Sequence, residues 1–149
     1  MCYSAASGLS LAPAAVQRAR QLVVEALGSW GVDDSDSARE LRSDAALVVS
    51  ELVTNALRVS GRHLSVYVEA HFDFLEIGVD DDSRSQPFAR WPSAAAEGGR
   101  GLTIVSSLAS SWGVRTGEHG KTVWCRLPVP PGSVLARGCK RFSKSEPAP

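Results

Sequence analysis

Three stretches carry residues whose types and spacing could do chemistry. In LVVSELVTNALRVS, residues 47–60, a carboxylate, Glu51, and a carboxamide, Asn55, stand four positions apart among leucines and valines. On a helix at 100° per residue they stack one turn apart, at the border of an apolar face made by Ala45, Val48, Val49, Leu52, Ala56 and Val59. Such a border is where a helix meets a cleft, or only where it meets solvent. In IGVDDDSRSQP, residues 77–87, three aspartates follow a strand-like run. They suit a solvated turn, or one of them could be buried. An ionised carboxylate only accepts hydrogen bonds, so a buried one suits a ligand amino group such as the exocyclic amine of adenine. In EGGRGLTIV, residues 97–105, Gly99 and Gly101 open a helix. Glycine there lets a ligand approach the backbone, and the free N–H groups favour phosphate.

Other chemistries find less support. DDDSRSQPFARW lacks the ligand positions and the bidentate Glu of an EF-hand. GEHGKT imitates a phosphate-binding loop, but Arg115 stands where glycine is needed and a strand, VWCRLP, follows instead of a helix. The EGGRGL stretch has no strand leading straight into it and no third glycine at dinucleotide-binding spacing. There is no G-x-S-x-G elbow, and His63, His71 and His119 sit in hairpin-like surroundings.

The elements that must position these residues follow from periodicity. APAAVQRARQLVVEALGSWG reads as a helix with Pro13 in its first turn and Gly28 or Gly31 as its stop. A second helix begins near Ser37 or Ser43 and runs to about Ser60, with Gly61 as its C-terminal signal. HLSVYVEA and FDFLEIGV alternate and form a hairpin. Residues 80–99 read as a long loop, with a short Ala-rich lid at 88–98. GLTIVSSLASS is a short helix, and WGVRT with KTVWCRLPV is a second hairpin. The expected fold is α+β: a two-layer sandwich with three helices on one face of a mainly antiparallel sheet. The expected domain spans residues 1–130. The Pro-, Ser- and basic-rich residues 131–149 read as a flexible tail.

Composition narrows the classes further. The 149 residues suit one domain, and sixteen basic residues balance sixteen acidic ones. No global field therefore argues for nucleic acid or an anionic membrane, and no apolar run is long enough to span a bilayer. The N-terminus lacks signal-peptide order, so a cytoplasmic protein is expected. Cys2, Cys125 and Cys139 share no metal spacing and read as reduced thiols.

Taken in order, the segments resemble the histidine-kinase-like ATPases of the GHKL or Bergerat fold. ELVTNA resembles the N-box, VDDDSRSQP the acidic adenine box, GGRGL the glycine box and GKTVW the last strand motif. LVVSELVTNALR, GGRGLTIVSSLASSWGV and GKTVWCRLP are most similar to the small actinobacterial anti-sigma-factor and serine-kinase branch. The resemblance spans about residues 14–128 and implies ATP and Mg²⁺ as cofactors. It implies Asn55 as the Mg²⁺ ligand and Glu51 as general base. Asp81 would accept from adenine N6, with Ser83 lining the same pocket and Thr122 supporting the adenine side. Gly99, Arg100, Gly101 and Leu102 would contact the phosphates. The implied activity is serine-protein kinase, sigma-factor sequestration, or both. The implied partners are a sigma factor or its antagonist, with a homodimer in some relatives. Against the family's D-x-G-x-G box, Ser83 and Ser85 replace both glycines, and Val59 stands where many members have histidine. The alternative is a pseudo-kinase that keeps the fold as a protein-binding module.

Overall fold

A computed structural model describes residues 1–59, 61–83 and 99–143, with backbone alone at 36–37, 99–102 and 140–143. The elements run β1 (Tyr3–Gly8), α1 (Ala14–Ser29), α2 (Asp36–Val59), β2 (Leu64–Ala70), β3 (Phe74–Asp81), α3 (Gly99–Leu108), β4 (Ser111–Gly117), β5 (Gly120–Pro128) and α4 (Val134–Ser143). The five strands form one sheet in the order β1-β2-β3-β5-β4, and every neighbouring pair is antiparallel. This is the expected α+β sandwich.

Strand periodicity decides the two faces. Leu64, Val66, Val68 and Ala70 of β2 alternate with half-buried residues. In β5 the same phase carries Lys121, Val123, Cys125 and Leu127. These side chains face the helices, as successive strand residues point to opposite faces. α2 supplies the central layer: Leu41, Ala45, Val48, Val49, Leu52, Val53 and Ala56 are buried. Leu47 is not part of it and remains 42% exposed, so α2 is less apolar all round than its composition suggests.

The open face of the sheet is polar and aromatic. Glu76, only 5% exposed, accepts from the Arg115 and Arg126 guanidinium groups at 3.1 and 3.0 Å and from the Tyr67 hydroxyl at 2.8 Å. Both guanidinium groups also lie over the Trp124 ring. Burial disfavours the Glu76 charge, but hydrogen bonds from Arg115, Tyr67 and Arg126 outweigh it and hold the carboxyl below its ordinary range. Gly78 makes room for Tyr67: a Cβ there would lie 2.2 Å from the ring.

One strand comes in addition to the expected elements, and two expectations need correction. Tyr3–Gly8 forms β1, an edge strand in full register with β2. Residues 134–143, read as tail, form α4, where Leu135, Ala136 and Cys139 are buried. Cys2 and Cys139 are joined in a disulfide, with Cα atoms 5.2 Å apart, so they are not reduced thiols. Residues 144–149 of the expected tail and the expected lid at 88–98 lie outside the described residues.

Candidate functional site

The site is built where β3 ends, and its three consecutive aspartates go three different ways. Asp80 stays on the open face, in register with Thr122. It accepts hydrogen bonds from the hydroxyls of Thr122 and of Ser65, the latter at 3.3 Å. Asp81 turns to the helix face and is buried. Asp82 reaches back to the loop after α2: its carboxylate accepts from the backbone N–H of Gly61 at 3.1 Å and of Arg62 at 2.9 Å. Those bonds, chiefly that from Arg62, push the Asp82 carboxyl down to about 2. Asp82 thereby ties the end of α2 to the end of β3, which fixes Asp81 relative to the helix that carries Glu51 and Asn55.

Asp81 is the chemically unusual member. Its side chain is 0% exposed, yet among the described residues only one of its oxygens is occupied. Oδ1 accepts from the Ser83 backbone N–H at 2.7 Å and lies 3.3 Å from the Lys121 ammonium. Among the described residues Oδ2 has no hydrogen-bond partner, and neither does Lys121 Nζ, whose side chain is 4% exposed. Burial raises the Asp81 carboxyl above its ordinary range, against the Ser83 N–H and the Lys121 charge. A buried carboxylate oxygen left open is costly unless something completes it. An amino group on a ligand would do so, which is the chemistry that a strand-end aspartate suggests from sequence. The residues therefore fit a base that bears an exocyclic amine.

The close approach that shapes this corner comes from Gly120. Its φ is +147°, and a Cβ there would fall 2.0 Å from the Asp81 carbonyl oxygen. Among the described residues no non-glycine has a positive φ. Ser83 in place of glycine therefore carries no left-handed strain. Ser85 lies outside the described residues.

Glu51 and Asn55 are both half-buried on α2, beside the fully packed Leu52 and Ala56. α2 packs against both β3 and α3. α3 begins at Gly99, so Gly99, Arg100, Gly101 and Leu102 form its first turn. The side chains of Arg100 and Leu102 are not described. The elements that carry the acid, the amide, the strand-end aspartate and the glycine-led turn thus pack together.

Thr122 does not join them. It lies on the opposite face of the sheet from Asp81, and its hydroxyl is bonded to Asp80. The residue on the Asp81 side is Lys121, paired with Asp81 in the β3–β5 register. The sequence holds a signal for this: Lys121 is the charged residue in the apolar phase of β5, with Val123, Cys125 and Leu127. Among the described residues there is no group of three or more His, Cys, Asp or Glu able to hold a metal. A cation here would need ligand phosphates beside Asn55.

Comparison with known proteins gives the family. The histidine kinase-like ATPase domain matches over residues 9–127. No curated protein matches the chain. Among solved structures, the histidine kinase domain of the blue-light activated histidine kinase of Erythrobacter litoralis EL346 is similar, with TM-score 0.54 and 25% identity over 83% of this chain and 67% of that one. A longer chain of the blue-light activated histidine kinase from the same organism has TM-score 0.50 and 23% identity, and the match covers 83% of this chain and 42% of that one. The family match runs from just before α1 to the last residues of β5. The chain belongs to the histidine kinase-like ATPase domain family.

Proposed function

We propose that this chain binds ATP with Mg²⁺ and acts as a regulatory serine-protein kinase of the anti-sigma-factor type. It would phosphorylate an antagonist protein, sequester a sigma factor, or both. The observation that carries the nucleotide half is the open, buried Oδ2 of Asp81, in a chain that matches an ATPase family. The kinase half rests on the wording of the helix, glycine and last-strand segments, and on Glu51 and Asn55 both being present on α2.

Each residue has one task in this reading. Asp81 Oδ2 accepts from the adenine amine, and Ser83 holds the carboxylate through Oδ1. The backbone N–H groups of the first turn of α3 receive the phosphates. The Asn55 amide oxygen holds the Mg²⁺. The metal ion, when bound, neutralises charge that develops on the transferred phosphoryl group. Glu51 takes the proton from the attacking serine hydroxyl or water. A second reading, a binding module without turnover, draws on the serines at positions 83 and 85. The backbone at Ser83 removes half of that support.

Thermal melting with millimolar ATP and Mg²⁺ tests the nucleotide half. At about one hundred times Kd a ligand contributes roughly 2.7 kcal/mol. That corresponds to roughly 5–10 °C in a domain of this size. Asp81→Asn should remove the shift. Glu51→Ala should keep it and abolish phosphoryl transfer to the partner. No shift with wild-type protein at millimolar ATP rejects the proposal.

A further inference from the structure

The buried lysine beside Asp81 has no task in the reading above. Its side chain is 4% exposed, it lies 3.3 Å from Asp81 Oδ1, and among the described residues its ammonium has no hydrogen-bond acceptor. Partial charge pairing does not complete an ammonium, which carries three donors. Two open groups, an acceptor on Asp81 and a donor on Lys121, thus share one buried corner. The corner belongs to the base end of the site and not the phosphate end. Lys121 is in register with Asp81 at the tip of the sheet, while the glycine-led turn belongs to α3.

We infer that Lys121 is a base-reading residue that widens the site from adenine to 6-oxo purines. The inference rests on the nucleotide reading of the same site. A lone carboxylate selects adenine because it accepts from the 6-amine and repels the oxygen that guanine or hypoxanthine carries there. The Asp81–Lys121 pair removes that one-sidedness. Adenine offers a donor at its 6-position and an acceptor at N1; hypoxanthine offers an acceptor at its 6-position and a donor at N1. Both edges present one donor and one acceptor to one acceptor and one donor. A sideways shift of the base by one atom position exchanges the two pairings. Asp81 then takes the N1–H of the 6-oxo purine, and Lys121 donates to its oxygen.

Calorimetric titration with ATP and with ITP tests this. ITP differs from ATP at the 6-position and N1 and has no 2-amino group to add a steric difference. Wild-type protein is expected to bind the two within about tenfold of each other. In Lys121→Met the ratio should rise to about a hundredfold or more, because an unmatched buried polar group is what gives such sites their discrimination. A merely structural lysine would weaken both nucleotides together and leave the ratio unmoved, which overturns the inference. Should Lys121→Met fail to fold, the wild-type ratio decides alone: rejection of ITP by a hundredfold or more overturns the lysine's role while ATP binding still stands. Failure of both nucleotides to bind overturns the nucleotide reading and this one with it.

Discussion

Gly120→Ala is the sharpest perturbation the fold offers. The new Cβ would sit 2.0 Å from the Asp81 carbonyl oxygen and 2.8 Å from Asp82 Cα. Both atoms are backbone, so no side chain can rotate away. Alanine must also adopt, or escape, a φ of +147°. Strain of this kind costs about 1–3 kcal/mol, and forcing packed strands apart costs about 1–3 kcal/mol more. The sum is about 2–6 kcal/mol, and at about 2–4 °C per kcal/mol for a domain of this size melting by circular dichroism should fall by roughly 4–24 °C. Gly132→Ala is the control. Its φ is +79°, but nothing lies within 4 Å of its added Cβ. That variant should lose only the backbone preference, about 1 kcal/mol. Gly120→Ala should also weaken the ATP-induced shift, since relief of the clash moves Asp81 itself. A melting point within 2 °C of wild type, or no lower than that of the Gly132→Ala control, would refute the claim that the hairpin tip presses on the strand that carries Asp81.

Further outcomes follow from the same contacts. The Asp82 carboxyl sits near 2, below its ordinary 3.8. Its clamp therefore adds stability above about pH 4 that is lost as the pH falls through 2. Melting curves across that window should be flatter for Asp82→Ala than for wild type. Glu76→Gln leaves two guanidinium groups over Trp124 without their carboxylate. Their side chains are 48% and 37% exposed, so solvent screening reduces the loss to about 1–2 kcal/mol from the several expected of a fully buried pair. Urea titration should report that difference. Reduction of the Cys2–Cys139 bond reopens a loop spanning 137 residues and should cost about 2–5 kcal/mol. Cys2→Ser should melt like the reduced protein and be insensitive to dithiothreitol.

Long-period signals made most of this architecture legible. α2 could be read because its apolar residues recur over many turns, and the two hairpins because their strands alternate cleanly. β1 is hard to read in the sequence because YSAASG, apart from its tyrosine, holds small, weak strand formers and exists through its pairing with β2, a contact distant in sequence. α4 was hidden by a composition typical of tails; its helix is secured by Leu135, Ala136 and a covalent bond to the other end of the chain. No spacing rule could have joined cysteines so far apart. In the site, Asp81 follows from the family resemblance, and the structure places it buried at the end of β3. Thr122 follows from the same resemblance, but it lies on the other face of the sheet from Asp81, because successive strand residues point to opposite faces. The phase of the strand, with Lys121 among valine, cysteine and leucine, held the better answer.

The bond between Cys2 and Cys139 also has a mechanical side. It encloses every strand and the first three helices within one covalent ring. Tension applied to the two flanks of that ring runs through sulphur and bypasses the sheet. Once the bond is reduced, the same tension reaches α4 on one flank and, on the other, β1, an edge strand zipped to β2. The protein should then yield by peeling one element at a time, where before it could bear load without extending.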